Sequence, residues 1–269
     1  MPLTHIVLIT LGFIWMYPFL WMVSAAFKTT AEMFSGGLNL IPKEIIFDNF
    51  VRAWEVAKFR VYFFNTVTVT VSVVAMVLAW TSMTGYACGR YDFPGRKFFM
   101  GAIVATLFLP TGYTIIPVFE MMKRLKLLDT LWAVILGEAG GGHVLFILLF
   151  SGFFQALPND LEDAARIDGA GFVRTFWSVM LPLAKPILAT ATIMQFMWTW
   201  NSFFMPLVFT LSKPQLRTLG VGMYAFVTDH TTDWTGMAAA ATISLTPIIT
   251  VFLLLQRFFV EGVAGAIKG

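Results

Sequence analysis

Long apolar stretches of about 20 residues alternate along this chain with shorter polar connections. A helix of about 20 apolar residues is long enough to cross the hydrocarbon core of a bilayer. None of the stretches alternates apolar and polar residues as a transmembrane β-strand does. The pattern therefore predicts six membrane-spanning helices, over residues 3–27, 61–87, 98–122, 131–155, 187–211 and 237–259. An even number of spans places both termini on the same side of the membrane.

The composition supports this interpretation. Hydrophobic residues make up 58% of the chain and charged residues only 12%, and the mean hydropathy is +0.78. A soluble domain has about 25% charged residues, and a helix satisfies its own backbone hydrogen bonds inside lipid. We therefore predict an all-α integral membrane protein that contacts the lipid bilayer. The formal net charge of +3 provides no electrostatic basis for a nucleic-acid partner.

The connection between the fourth and fifth predicted spans is unusually polar. Asn159, followed by Glu162 three residues later, predicts a helix that starts with a capping box. Gly169 is expected to end this helix in the left-handed conformation, before a second short helix. Physics alone leaves two alternatives open, a docking surface for a partner or a solvated link between spans. The charged residues concerned are Asp160, Glu162, Asp163, Arg166, Asp168, Arg174 and Lys185.

Several motifs in this chain resemble one known family. The segment EDAARIDGAGFVRTFWSVMLPLAKP resembles the EAA loop of ATP-binding-cassette (ABC) importer permeases of the carbohydrate-uptake type. GYACGRYDFPGRKFF, WNSFFMPLVF and the tail VEGVAGAIKG resemble other parts of these permeases, the tail being similar to the maltose-type second permease. The resemblance implies a type I ABC importer permease fold with six transmembrane helices. It also implies one permease domain over residues 1–269, with a core at about 61–260, a cytoplasmic EAA loop at 156–186 and a C-terminal tail at 260–269.

The resemblance further implies a role for the EAA loop. In the family its first helix, the coupling helix, is seated in a cleft of a cytoplasmic ATPase. Glu162 and Asp163 would then pair with basic residues of the ATPase, although Asp163 stands where the family usually has glutamate. Carried over by position, the coupling residues are Glu162, Asp163, Ala164, Ala165, Asp168, Gly169 and Ala170. The loop and both termini would be cytoplasmic, in a bacterial or archaeal cytoplasmic membrane, whereas the nearly balanced Lys and Arg counts leave the orientation open.

The chain has no nucleotide-binding motif of the G-x-x-x-x-G-K-[ST] type, so we expect no enzymatic activity and no catalytic residue. ATP and Mg would be used by partner subunits, and we expect no cofactor or metal on this chain. The partners implied by the resemblance are a second permease in a heterodimer, two ATPase subunits and an extracytoplasmic solute-binding protein. The predicted function is ATP-driven import of a sugar or related polyol.

Polar and aromatic residues within the spans are candidates for the substrate pathway, because such groups are costly in lipid unless they face protein or a wet cavity. The candidates are Asn201, Trp198, Trp200, Asn65, Glu138 and His143. The tryptophans could equally pack in the core or at the membrane interface, and Asn65 could make ordinary contacts between helices.

A stand-alone secondary transporter or channel for a small polar solute is the alternative function. It would predict internal repeats and broken helices at matching positions of two halves, and the sequence indicates neither. Only Glu138 and His143 support it.

Overall fold

The computed structural model describes residues 2–56, 58–109, 114–140, 143–227 and 231–267, and these are almost entirely helical. One isolated bridge joins Val227 and Thr232. The α-helices are α1 Pro2–Ala25, α2 Thr30–Ser35, α3 Asp48–Val51, α4 Phe59–Arg90, α5 Arg96–Ala105, α6 Ile115–Arg124, α7 Leu131–Ala139, α8 Val144–Ala156, α9 Asp160–Ile167, α10 Phe172–Thr175, α11 Leu181–Leu183, α12 Lys185–Trp200, α13 Phe204–Phe209, α14 Leu219–Gly222 and α15 Trp234–Ile267. Short 3₁₀ segments cover Thr106–Phe108, Pro214–Leu216 and Met223–Phe226, and π-helical segments cover Arg52–Val56 and Phe176–Met180.

Three uninterrupted helices, α1, α4 and α15, are long and apolar enough to cross a membrane. Two further candidates are bent pairs, namely α7 with α8 at 50° and Phe172–Leu183 with α12 at 80°. The described residues thus contain three to five candidate spans by length and composition. The α15 backbone remains helical to Ile267, well beyond the end of the predicted sixth span.

The predicted third span, residues 98–122, does not form one helix. α5 ends at Ala105, a short 3₁₀ segment follows, and α6 begins only at Ile115. Leu109 is extended, with φ −81° and ψ 127°. It precedes Pro110, and a residue before proline disfavours the helical conformation because the proline ring collides with its backbone. The prediction of a continuous span was therefore wrong here.

The predicted fourth and fifth spans are also interrupted. Residues 131–155 divide into α7 and α8, and residues 187–211 divide into α12 and α13. Breaks inside membrane helices are tolerated where neighbouring protein satisfies the freed backbone groups. These breaks place Glu138, His143 and Asn201 near helix ends rather than in the middle of continuous helices.

The core forms around α4, which contacts α7, α8, α12 and α14. Its closest approach is to α8, through two glycines four residues apart. A Cβ on Gly85 would lie 2.4 Å from the Phe150 Cβ, and one on Gly89 would lie 2.6 Å from the Ser151 carbonyl oxygen. Small residues at this spacing let membrane helices pack backbone against backbone. Cys88, the single cysteine, is buried beside them.

Hydrogen bonds at the two ends of α4 show which connections lie together. At its last residue, Arg90 donates to the carbonyl oxygens of Leu157 and Pro158, in the connection before α9. Near its start, the Asn65 amide donates to the carbonyl oxygens of Gln215 and Arg217. The second and fourth connections therefore meet at one end of the molecule, which we call the α9 end. The fifth connection lies at the opposite end, as the predicted order of spans requires.

A two-point ion pair joins the first connection to the start of α15 at this opposite end. Arg52 donates to both carboxylate oxygens of Asp233, from Nε at 2.7 Å and from Nη2 at 3.0 Å. Partial burial alone would raise the pKa of Asp233. Its hydrogen bonds with Arg52 and with the Gly236 N–H, together with the positive charge of Arg52, lower the pKa on balance.

Candidate functional site: the α9 loop

The α9 loop is the connection at residues 156–186, which contains α9. α9 ends as expected from its glycine. Gly169 has φ +78°, the left-handed region that suits a residue without a Cβ. The Gly169 N–H donates to the Arg166 carbonyl and the Ala170 N–H to the Ala165 carbonyl, both at 2.9 Å. This pair of bonds is the Schellman pattern, which satisfies carbonyls at the end of a helix. The predicted turn at Gly169 is confirmed.

The predicted capping box at the start of α9 is wrong. Asn159 has helical angles, φ −69° and ψ −30°, and its side chain makes no capping hydrogen bond. A capping residue needs an extended conformation so that its side chain can reach back to the free N–H groups. The Glu162 side chain, which the box would have placed near the Asn159 N–H, points towards the body of the protein instead.

Glu162 is bound within its own chain. Only 7% of the residue is exposed. Its Oε1 accepts a hydrogen bond from the Tyr86 hydroxyl at 2.6 Å and lies 3.4 Å from Arg90 Nε. The Tyr86 and Tyr91 hydroxyls are 3.1 Å apart and extend the network. The sequence did not identify Tyr86 or Arg90 as partners of Glu162, because both lie more than 70 residues earlier in the chain, on α4.

The other predicted coupling residues divide between the two faces of α9. Asp163, Ala164, Asp168 and Gly169 are exposed, Ala165 is buried and Ala170 is half-buried. Ile167, which the sequence analysis did not single out, is 87% exposed. The signal that could have identified Ile167 from the sequence is a large apolar residue on an otherwise polar helix face. The outward face thus presents an apolar side chain next to two carboxylates.

Aromatic side chains pack the α9 loop against α4 and α8. Tyr86 packs with rings of the loop and of α8 at centroid distances of 5.3–5.4 Å. Phe176 and Met180, on the π-helical segment, are buried in the same cluster. The loop is therefore packed onto the membrane helices rather than freely solvated. The rings in contact with Tyr86 are Tyr91, Phe154, Phe172 and Phe176.

The structure brings Trp198 and His143 to one place. Trp198 is 49% exposed and stacks on Phe146 at 5.3 Å. Phe146 also stacks with His143 at 6.1 Å, and Trp80 meets His143 edge-on at 5.9 Å. Trp80 was not predicted. The result is an aromatic cluster with one imidazole, in which Phe146 is buried, Trp80 and His143 are partly buried and Trp198 is exposed.

Glu138 and His143 lie on either side of the break between α7 and α8. His143 Nε2 is 3.0 Å from the Glu138 carbonyl oxygen, and the Ser202 hydroxyl donates to Glu138 Oε1 at 2.5 Å. Their spacing of five residues did not predict proximity on a regular helix. The break between the helices allows it. Across the described ranges, no three His, Cys, Asp or Glu side chains are grouped so that they could hold a metal ion.

The remaining candidates have structural partners. Trp200 is 3% exposed, and its indole N–H donates to the Ser244 carbonyl at 3.1 Å. The amide of Asn65 is used by the fifth connection. Asn201 is exposed, donates to the Met197 carbonyl, and lines a cavity of about 240 Å³. Core packing and contacts between helices, two of the alternatives left open by the sequence, therefore describe Trp200 and Asn65 well.

The comparisons with known proteins identify the family. The model of the family described as "Binding-protein-dependent transport system inner membrane component" matches residues 80–265. The chain belongs to this family. The permease is 34% identical over 263 residues to the arabinooligosaccharides transport system permease protein AraQ of Halalkalibacterium halodurans, covering 96% of this chain and 93% of that protein. It is 32% identical over 256 residues to the diacetylchitobiose uptake system permease protein NgcG of Streptomyces coelicolor, covering 95% and 84%.

The fold is similar to that of a solved transporter. A chain of a bacterial ABC transporter involved in the import of the acidic polysaccharide alginate matches with a TM-score of 0.83 and 26% identity, covering 96% of this permease and 95% of that chain. The predicted type I ABC permease fold is confirmed. The permease is an inner membrane component without enzymatic activity, and ATP hydrolysis belongs to partner ATPase subunits. Because the chain belongs to this family, the alternative of a stand-alone transporter or channel is set aside.

Proposed function

We propose that this permease forms part of the pathway by which an ATP-driven importer moves a sugar or related polyol into the cell. The names of AraQ and NgcG refer to oligosaccharides, and the solved transporter imports a polysaccharide. These names support a carbohydrate substrate for a chain that aligns with its relatives over nearly its full length.

The outward face of α9 is the observation that best supports coupling to an ATPase. Ile167 is 87% exposed, and Asp163 and Asp168, close to it in the sequence, are exposed as well. Ala164, also exposed, adds little bulk to this face. An exposed apolar side chain with charged neighbours is typical of a docking surface. Carboxylates at its edge favour a partner cleft with basic residues and exclude an acidic one.

The proposed assembly follows from this role. It contains a second, different permease, two ATPase subunits that use ATP and Mg, and an extracytoplasmic solute-binding protein. The α9 loop and both termini face the cytoplasm. ATP binding favours one of two packings of the same spans, because it stabilises the state in which the ATPases are closed.

Trp198 and His143 are the proposed substrate contacts that the geometry supports best. The face of a tryptophan ring suits the apolar face of a sugar, and imidazole can exchange hydrogen bonds with hydroxyl groups. Glu138 and Asn201 remain proposed members of the pathway. Trp200 and Asn65 would contribute through the packing of their helices.

Purification from the native membrane tests the proposed function. We expect an ATPase and a second permease to accompany the tagged chain, and a solute-loaded binding protein to stimulate ATP hydrolysis by the complex. A panel of sugars and polyols, tested against that binding protein by thermal shift, would identify the solute. Recovery of the chain alone, with transport that does not require ATP, would refute the proposal.

A further inference from the structure

Glu162 is a charged residue of α9 that the proposed docking surface does not use. Its carboxylate lies on the inner side of the helix, against the Tyr86 hydroxyl and Arg90 Nε. Only 4% of the Arg90 side chain and 9% of the Glu162 side chain are exposed. The nearby charge of Arg90 and the Tyr86 hydrogen bond together compensate the burial of this carboxylate.

Arg90 also fixes the chain that leads into α9. Its Nη1 donates to the Leu157 carbonyl at 2.8 Å and its Nη2 to the Pro158 carbonyl at 3.1 Å. One guanidinium therefore contacts both the entry segment of α9 and a side chain in its first turn. Because a guanidinium is planar and its donors point in fixed directions, these contacts constrain direction as well as distance.

The two sets of contacts constrain different properties of α9. The bonds to Leu157 and Pro158 fix where the helix starts, and the contacts of Glu162 fix its rotation about its own axis. Successive side chains on an α-helix point about 100° apart. With Glu162 held inward, Asp163 and Ile167 are directed outward, and a rotation of α9 that moved Glu162 outward would turn these two residues away.

We infer that Glu162 is a positioning residue for ATPase coupling, which acts through Tyr86 and Arg90 to set the rotation of α9. The inference rests on the proposed function, because it takes the ATPase to be the partner at the outward face. It assigns different tasks to two adjacent acids: Asp163 faces the ATPase, whereas Glu162 binds its own chain. Arg90 is the last residue of α4, so the same contact joins the docking helix directly to a long membrane helix.

A double-mutant cycle on the purified permease tests the contact without any partner. Hydrogen–deuterium exchange of residues 160–168 is compared in E162A, R90A and the double variant, with D163A as the matched control. We expect E162A to speed exchange by about tenfold and R90A to speed it at least as much, because R90A also removes the bonds to Leu157 and Pro158. The double variant should exceed R90A by clearly less than tenfold, because the contact that the two residues share is already lost. D163A should leave exchange unchanged. Wild-type exchange in E162A would overturn the inference.

The complete importer provides the functional measurement, the amount of solute transported per ATP hydrolysed. We expect E162A to lower this ratio several-fold and E162Q to recover most of it, because the amide oxygen still accepts the Tyr86 hydrogen bond. If E162A does not fold, the transport ratio of E162Q is compared with that of the wild-type protein instead. Additive effects of E162A and R90A on ATPase affinity would mean that Glu162 binds the ATPase directly, and would refute the inference. If no ATPase binds the wild-type chain, the proposed function fails while the exchange result still stands.

Discussion

Two neighbouring carboxylates on α9 have opposite surroundings. Glu162 is buried against Tyr86 and Arg90, whereas Asp163 is exposed and has Arg166 3.7 Å away on the same helix. An exposed ion pair of this kind contributes at most about 1 kcal/mol. The Asp163 carboxylate is therefore available to a basic partner, although its side chain is one methylene shorter than the usual glutamate.

Asp163→Lys is expected to weaken docking of the ATPase by at least about 2 kcal/mol, or about 30-fold in Kd, because it places like charges opposite each other. The Kd of the ATPase subunit for the permease in nanodiscs measures this. Asp160→Lys is the matched control, since Asp160 is exposed on the same helix but outside the proposed coupling set. Equal weakening by both changes would argue against a specific role for Asp163.

Gly169→Ala is expected to impair coupling, because a left-handed backbone costs a residue with a Cβ about 1–2 kcal/mol. Gly171 provides a matched control two residues away. Its φ is −77° and a Cβ there would meet nothing within 4 Å, so Gly171→Ala should be tolerated. Transport-coupled ATP hydrolysis is the measurement, with membrane insertion checked in both variants. Similar activity of the two variants would contradict the role of the turn.

The sequence predicted the Gly169 turn because a left-handed position depends on local chemistry. It could not predict the direction of Glu162. Two adjacent acids in the first turn of a helix have the same preference for its positive end, so nothing local distinguishes Glu162 from Asp163. The distinction comes from Tyr86, 76 residues earlier in the chain.

At the scale of the helices, the contact between α4 and α8 depends on the absence of two side chains. Gly85 and Gly89 face the backbone and the Cβ atoms of α8. In a membrane, helices associate mainly through close packing of this kind, because lipid offers little hydrophobic driving force between them. The Gly85–Gly89 face is therefore expected to tolerate no added atom.

Gly89→Ala is expected to destabilise the folded permease by about 1–3 kcal/mol, because its Cβ would lie 2.6 Å from the Ser151 carbonyl and backbone would have to move. Gly152→Ala, on α8, is the matched control, since a Cβ there would meet nothing within 4 Å. Thermal unfolding of the purified permease provides the measurement. An unchanged Tm in Gly89→Ala would show that α4 and α8 can move apart without loss of stability.

The helices also show what an apolar pattern can and cannot predict. α1, α4 and α15 agree with their predicted spans to within a few residues, apart from the C-terminal extension of α15. The third span failed because the hydrophobic pattern continues through Pro110, although the residue before a proline leaves the helix. The contacts of Trp198 with Phe146 and His143 could not be predicted, because they form between separate helices.

At the scale of the whole molecule, Arg52 and Asp233 join segments far apart in the chain. The lowered pKa of Asp233 means that the folded protein binds a proton there less readily than the unfolded chain. The stabilisation is complete above the ordinary pKa of aspartate and is lost as the pH falls through the lowered value. Both side chains are about one third exposed, at 35% and 31%, so it should stay below about 1 kcal/mol.

Asp233→Asn is therefore expected to lower the Tm slightly at pH 7 and to reduce its fall between pH 5 and about 2. Asp48→Asn is the matched control, because Asp48 also pairs with Arg52 but its side chain is 75% exposed. Thermal unfolding across this pH range measures the effect. A wild-type pH profile in Asp233→Asn would show that the ion pair does not contribute.

The proposed orientation predicts how opposite ends of the permease react in intact cells. Asp160→Cys lies at the α9 end and Lys213→Cys at the opposite end, and both positions are exposed. Cys88 is buried and should not react with a membrane-impermeant maleimide. We expect labelling of Lys213→Cys in spheroplasts and of Asp160→Cys only after the membrane is opened. The reverse order would invert the orientation.

Finally, the length of α4 has a mechanical consequence. Its 32 residues extend over about 48 Å, with Arg90 bound to the start of the α9 loop and Asn65 bound to the connection before α14. A stiff rod pivoting near its middle moves its two ends in opposite directions. A tilt of about 5° would displace each end by about 2 Å, which is comparable to the helix shifts that accompany switching in other proteins. α4 thus has the dimensions and attachments of a lever between the two sides of the membrane.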